Sequence, residues 1–188
     1  IATGLVKPFA MSSVLPLAVL ASALWAAQVH PSRAADWHVD DGNQTGEEDG
    51  SVGRPYRSIQ SAIAGAASGD TIKVALGTYG PITTLGKPLT LLGGYPGEAA
   101  AAYAAGLSGD FSTQGPAPSA TIIDGGGDMT GDGVTFTRFD FLPYQVTFDN
   151  FTVRKNRKGI VCDTDVSWPH PSNVTITRNL VEDNGTRV

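Results

Sequence analysis

From residue 71 onward the chain alternates apolar and polar side chains in short runs, the first three of which end at glycine. In Thr71-Ile72-Lys73-Val74-Ala75-Leu76, the residues Ile72, Val74 and Leu76 fall on one face before Gly77. Residues 88–92 run into Gly93-Gly94, and residues 120–124 run into three successive glycines. Further runs cover 133–139, 146–153, 159–162 and 173–176. Alternation marks strands that bury one face. One segment has a different period. Ile59, Ala62, Ile63 and Ala66 recur at helical spacing, which predicts a helix over 58–68 with Ser58 as N-cap and Gly69 as the stop. Tyr56, just after Pro55, is placed to pack on its first turn. A narrow stripe of small apolar residues suits a lid across the open end of a stack of strands.

Spacing gives the architecture. Ile72 to Leu89, Phe136 to Phe151 and Val153 to Ile176 span 17, 15 and 23 positions, near the roughly 20-residue periods of stacked solenoids. Such coils cannot bury their inner faces singly, so they stack on a shared core. Between Leu91 and Ile122 the gap widens, and the Ala-, Gly- and Pro-rich stretch 96–119 is expected to project as a loop. Residues 70–188 leave room for about five coils, each rising about 4.8 Å. A β-sandwich would need hairpins, yet no two-residue Asn-Gly turn joins matched strands. The expected fold is all-β: a β-helix, or solenoid, with a short N-terminal capping α-helix. Residues 35–69 would form the cap and 70–188 the coils.

Composition narrows the function. A net charge of -5 argues against a nucleic-acid partner, which needs a basic face. It also gives no global attraction for acidic polysaccharides, so any such binding would rest on a local basic patch. Residues 1–34 read as an export signal: Lys7, an apolar stretch over 14–27, and small residues at Ser32 and Ala34 around Arg33. With Pro16 inside it, that stretch is shorter than the roughly 20 residues of a membrane span. The mature, extracytoplasmic chain would begin near Ala35. Ile1 opens the sequence and Met11 is an alternative start, at the cost of the only early positive charge. At the other end, the strand-and-turn pattern runs out without an amphipathic closing element, as in a longer stack. Cys162 is the only cysteine, so stacking must replace disulfides. Its apolar run predicts a small buried hydrophobe.

The N-terminal half resembles the right-handed parallel β-helix proteins of the pectin-lyase-like superfamily. The resemblance rests on His38-Val39-Asp40 with the acidic glycine loop, Arg54-Pro55-Tyr56-Arg57-Ser58-Ile59-Gln60-Ser61-Ala62-Ile63, Ser68-Gly69-Asp70-Thr71-Ile72 and Gly77-Thr78-Tyr79. Leu91-Leu92-Gly93-Gly94-Tyr95 and Thr121-Ile122-Ile123-Asp124-Gly125 extend it. It implies the fold and its cap. For activity it implies a choice among polysaccharide lyases, glycoside hydrolases and non-catalytic surface or adhesin-type modules. No catalytic motif of that superfamily can be placed here by position.

Two groups are candidate sites. Asp163 and Asp165 stand at i and i+2, which on a strand places two carboxylates on one face. The resemblance implies a calcium ion shared with an acidic sugar, or an acid–base pair. The bland reading is a solvated turn. Beside them, Arg154, Lys155, Arg157 and Lys158 could bind uronate carboxylates, or form a charged bend that discourages edge pairing. The acidic loop from Asp40 to Asp49 fails as an EF-hand, because Val52 stands where a bidentate Glu is required. Asp128 and Asp132 read as turn carboxylates, and His30, His38 and His170 have no metal-ligand spacing. Asn43, Asn150, Asn173 and Asn184 head N-x-Thr sequons, and Asn173, Asn179 and Asn184 are expected to form turns and stacked contacts between coils.

Overall fold

The computed structural model describes residues 34–127, 130–137, 144–162 and 172–185. The expected export signal lies outside them, apart from Ala34. The strands are β1 (Asp36–Val39), β2 (Thr71–Ala75), β3 (Gly77–Tyr79), β4 (Ile82–Thr83), β5 (Thr90–Tyr95), β6 (Thr121–Asp124), β7 (Asp132–Phe136), β8 (Tyr144–Asp149), β9 (Thr152–Arg154), β10 (Lys158–Cys162), β11 (Ser172–Thr177) and β12 (Leu180–Glu182). Two short helices interrupt them, α1 (Ile59–Gly65) and α2 (Ala100–Ala104).

Every paired strand is parallel, in three sheets ordered β1-β2-β5-β8-β11, β3-β6-β9-β12 and β4-β7-β10. Successive strands pass from one sheet to the next, so β2–β3–β4, β5–β6–β7, β8–β9–β10 and β11–β12 are consecutive coils of a parallel β-helix. From residue 70 there are four such coils among the described residues, against the expected five. Uneven coil lengths account for the difference: register partners on the largest sheet lie 19 (Thr71 to Thr90), 57 (Thr90 to Thr147) and 28 (Thr147 to Thr175) positions apart. Coil-to-coil contacts such as Asn156 N–H to Asn184 Oδ1 (2.9 Å) join residues 28 apart. The spacing of 15 ran from β7 to Phe151, just before β9, and that of 23 from β9 to β11, so neither compared positions within one sheet.

The core lies between the three sheets. Ile72, Leu91 and Phe148 stack in one inner column of the largest sheet, all fully buried. Phe148 and Phe151 stack in parallel at 4.3 Å between ring centroids. The single strand expected over 146–153 is two strands, because Asn150 (φ +66°) turns the corner between β8 and β9. Asn is among the few residues that accept this left-handed conformation readily. One coil later Arg178 (φ +53°) holds the equivalent corner.

α1 starts at the expected Ser58, whose side chain accepts the Ser61 N–H at 3.0 Å. It stops at Gly65, before Gly69. Lys87 Nζ closes that end, donating to the carbonyls of Ile63, Ala64 and Ala66 at 2.7–2.8 Å. Ile59, Ala62 and Ile63 enter the core.

The stretch 96–119 is docked rather than projecting. Buried Asp40 accepts from Gly42 N–H (2.8 Å), Glu98 N–H (2.8 Å) and the Tyr103 hydroxyl (2.7 Å). Gly97 (φ +67°) makes the approach: a β-carbon there would lie 2.2 Å from Asp40 Oδ2. Phe111 packs on His38 and Tyr95 at 4.7 and 6.1 Å. A composition typical of loops hid three anchoring contacts.

Cys162 is exposed, contrary to the buried reading. It pairs with Phe136, which is buried, but among the described residues β10 is the end strand of its sheet.

Candidate functional site

In a strand, side chains alternate between core and solvent, so each inner column of the largest sheet has outer columns beside it. The register aligns Asp36, Thr71, Thr90, Thr147 and Thr175 in one outer row, about 4.8 Å from strand to strand. Thr71, Thr90 and Thr147 are half-buried and Thr175 is exposed. The next outer row reads His38, Lys73, Leu92, Asp149 and Thr177.

Charged groups bracket the threonines. Lys73 Nζ lies 2.7 Å from Asp36 Oδ2 and 6.0 Å from the Tyr95 ring centroid. At the other end Asp149 accepts from Thr177 Oγ1 and Arg178 Nε, both at 2.9 Å, and from Gln114 Nε2 at 3.2 Å. Arg178 also donates through its Nη2 to Asp149 and to Gln114. The Arg178 guanidinium outweighs burial and, with Thr177 and Gln114, holds the Asp149 carboxyl below the ordinary carboxylate range.

Gln114 comes from the docked stretch, and its Nε2 also reaches the Gly93 carbonyl at 2.8 Å. Together with the buried cluster of Tyr95 and Phe111 against Leu92, it raises a wall along one side of the threonine row. The result is an open ledge with a hydroxyl floor, a mixed-charge rim and an amide on its wall. Each hydroxyl both donates and accepts, so the ledge can recognise an extended, hydroxyl-rich ligand without covalent chemistry.

His38 does not join this chemistry. Its Nδ1 lies 2.9 Å from the Gly50 carbonyl oxygen. Burial, helped by the charge of Lys73, depresses its pKa despite that carbonyl. A separate hollow of about 430 Å³ lies between the acidic loop and α2, with Glu47, Arg54 and Tyr103 in its lining. Its only ion pair, Arg54 to Glu47 at 3.3 Å, is exposed on both sides.

The basic cluster stands elsewhere, at the corner between β9 and β10. Arg154 Nε is 2.9 Å and Lys155 Nζ 3.6 Å from Asp124 Oδ2. Arg157 makes a two-pronged contact to Asp132, Nε to Oδ1 and Nη2 to Oδ2, each 3.0 Å. Three of the four cations therefore neutralise carboxylates of the preceding coil, and Lys158 is exposed on β10. Burial acts to raise the Asp124 pKa, but the Gly126 amide and the two cations hold it low. Asp132, expected in a turn, opens β7. Asp163 and Asp165 lie outside the described residues. Among the described residues no three His, Cys, Asp or Glu side chains are grouped to hold a metal ion.

Reasoning from sequence missed the threonine row. Its members are scattered between residues 71 and 175, and their one available signal was a Thr at the same outward phase in TIKVA, TLL, VTF and VTI. The asparagine expectation fits at two positions. Asn179 accepts from Phe151 N–H (2.8 Å) and donates to the Phe148 carbonyl (2.9 Å). Asn184 bridges back to Asn156 and Val153 in the same way.

Residues 41–187 match the family described as Protein of unknown function (DUF1565), and the chain belongs to that family. Comparison with curated proteins and with solved structures gave no match.

Proposed function

We propose that this member of the DUF1565 family is an exported β-helix protein, allied to the pectin-lyase-like superfamily, that binds extracellular polysaccharide along the outer face of its largest sheet. The observation that carries this reading is the row Thr71, Thr90, Thr147 and Thr175, an uncharged hydroxyl strip one residue wide per coil, walled by Gln114 and flanked by ion pairs. A polysaccharide offers hydroxyls at regular intervals and meets that strip without a desolvated charge. Export draws support from the signal-like residues 1–34. The Ala35 nitrogen, which would begin the processed chain, lies 2.8 Å from Asp70 Oδ1, where a new α-ammonium would find a carboxylate.

Binding is better supported than turnover. A general acid needs a raised pKa, whereas the Gly126 amide with Arg154 and Lys155 holds Asp124 low against burial, and Arg178 holds Asp149 low. The non-catalytic surface-module reading therefore stands beside the lyase or hydrolase reading, whose acidic-sugar and calcium chemistry would rest on Asp163, Asp165 and the cluster Arg154, Lys155, Arg157 and Lys158.

The test is affinity electrophoresis of the chain through gels containing neutral or uronate polysaccharides, with and without calcium. Retardation should fall at least fivefold in Thr90→Val/Thr147→Val, which keeps side-chain shape and removes the hydroxyls. Retardation unchanged by that pair would sink the ledge as the site. Retardation lost only in Asp163→Ala/Asp165→Ala, and only with calcium, would move binding to the second site.

A further inference from the structure

Asp70, 3% exposed, sits in the turn that leads into β2. Its Oδ2 accepts from Trp37 Nε1–H and Ala67 N–H, both at 2.8 Å, and its Oδ1 accepts from Ala35 N–H, also at 2.8 Å. Ala35 is held on its other side too, because its carbonyl accepts from Thr71 N–H at 2.9 Å, beside the register pair Asp36 and Thr71. Yet Ala34 and Ala35 are both exposed, so the peptide between them stands at the surface. That peptide also follows the small residues Ser32 and Ala34, the two positions a signal peptidase reads.

We propose that the bond between Ala34 and Ala35 is a processing site, and that its hydrolysis locks the cap by turning the Ala35 amide into an α-ammonium bound to Asp70. The step consumes one water. Its oxygen completes a carboxylate on Ala34, and the departing Ala35 nitrogen keeps the protons as an ammonium. No neighbouring start has the same effect. A chain beginning at Ala34 carries its ammonium one residue too early and leaves an ordinary amide at Ala35. One beginning at Asp36 loses both Ala35 bonds. Among the other charges nearby, Asp36 is held by Lys73 at 2.7 Å. Lys87, which acts on Asp70, is held by three carbonyls at the end of α1. The carboxylate of Asp70 is therefore the partner left for a new ammonium. A precursor that still carries residues 1–34 has only the neutral bond, and so a weaker cap until they are removed. This inference rests on the export half of the reading above and is independent of polysaccharide binding.

The experiment secretes the whole chain from a bacterial host and reads the first residue of the product from its intact mass, which should place Ala35 there. A second chain, with Gly-Ser inserted between Ala34 and Ala35, should yield a product in which Ala35 remains an amide. At pH 6 the Ala35 product should melt about 2–4 °C higher, since charge-assisted bonds are roughly twice as strong as neutral ones. A free α-amino group titrates at about 7.7–8.0, and Asp70 raises that value in the folded chain. The margin is thus complete below about pH 7.7, declines as pH rises through the folded value, and should be gone by about pH 11. Acetylating the α-amine of the Ala35 product should abolish it at pH 6 as well, and decides alone if the insertion moves the cut. Absence of any processed product would sink the export reading and this inference together. Processing at another bond would overturn the site while export stands. Processing at Ala35 with a margin under 1 °C at pH 6, or one that persists at pH 11 or after acetylation, would overturn the lock alone.

Discussion

Removing the Asp70 carboxylate should loosen the start of the β-helix more than any other single truncation outside the apolar core. Asp70 is buried and accepts from Ala35 N–H, Trp37 Nε1–H and Ala67 N–H, each at 2.8 Å. It thereby joins the approach to β1, β1 itself, and the turn between α1 and β2. Asp70→Ala leaves those three donors without a partner. At about 1 kcal/mol for each lost bond, the change costs about 3 kcal/mol. For a folded unit of this size that lowers the melting temperature by about 6–12 °C. The effect also has a pH signature. Burial acts to raise the Asp70 pKa, but the Ala35 amide, the Trp37 indole, the Ala67 amide and the charge on Lys87 hold it below the usual carboxylate value. A carboxyl depressed in the folded state contributes its stability fully above the unfolded pKa of about 3.9 and loses it as pH falls through the folded value. The difference between wild type and Asp70→Ala should therefore be widest at pH 5–7 and shrink below about pH 4. Thermal unfolding followed by tryptophan fluorescence at both pH values measures it. A shift under 2 °C at pH 7, or one equally large at pH 2.5, would refute the reasoning.

Lys87→Met removes the cation that meets three carbonyls at the end of α1; a loss of about 1–3 kcal/mol is expected in urea unfolding, with Lys87→Arg partly restoring it. Asn179→Ala strips the Phe151 amide and the Phe148 carbonyl of their partner, so hydrogen exchange at the Phe151 amide should quicken at least tenfold with the α1 amides unchanged. Arg157→Ala breaks an ion pair that is half-exposed on the arginine side, and its melting temperature should fall by no more than that of a pair worth about 0–1 kcal/mol. His38 has a depressed folded pKa, caused first by burial. Its contribution is thus complete above the unfolded value of about 6.5 and declines as pH drops below it, and His38→Phe should flatten the stability slope between pH 6.5 and 5.

The sequence by itself determined what depends on neighbours along the chain. The alternation of Ile72 with Val74, the Ser58 cap and the glycine-ended runs are local signals, and they specified short strands, one helix and a stacked architecture. Only the tertiary structure decided which strand meets which. Phe148 lies on Leu91 because 96–119 leaves the coil and returns, a detour secured by Asp40 and Tyr103 that no local pattern encodes. The basic cluster was legible as charge, but its pairing with Asp124 and Asp132 depends on inter-coil register. The threonine ledge was illegible for the same reason. Its rows arise from hydrogen bonds between residues one coil apart, and burial of the inner face, not the outer threonines, sets that register.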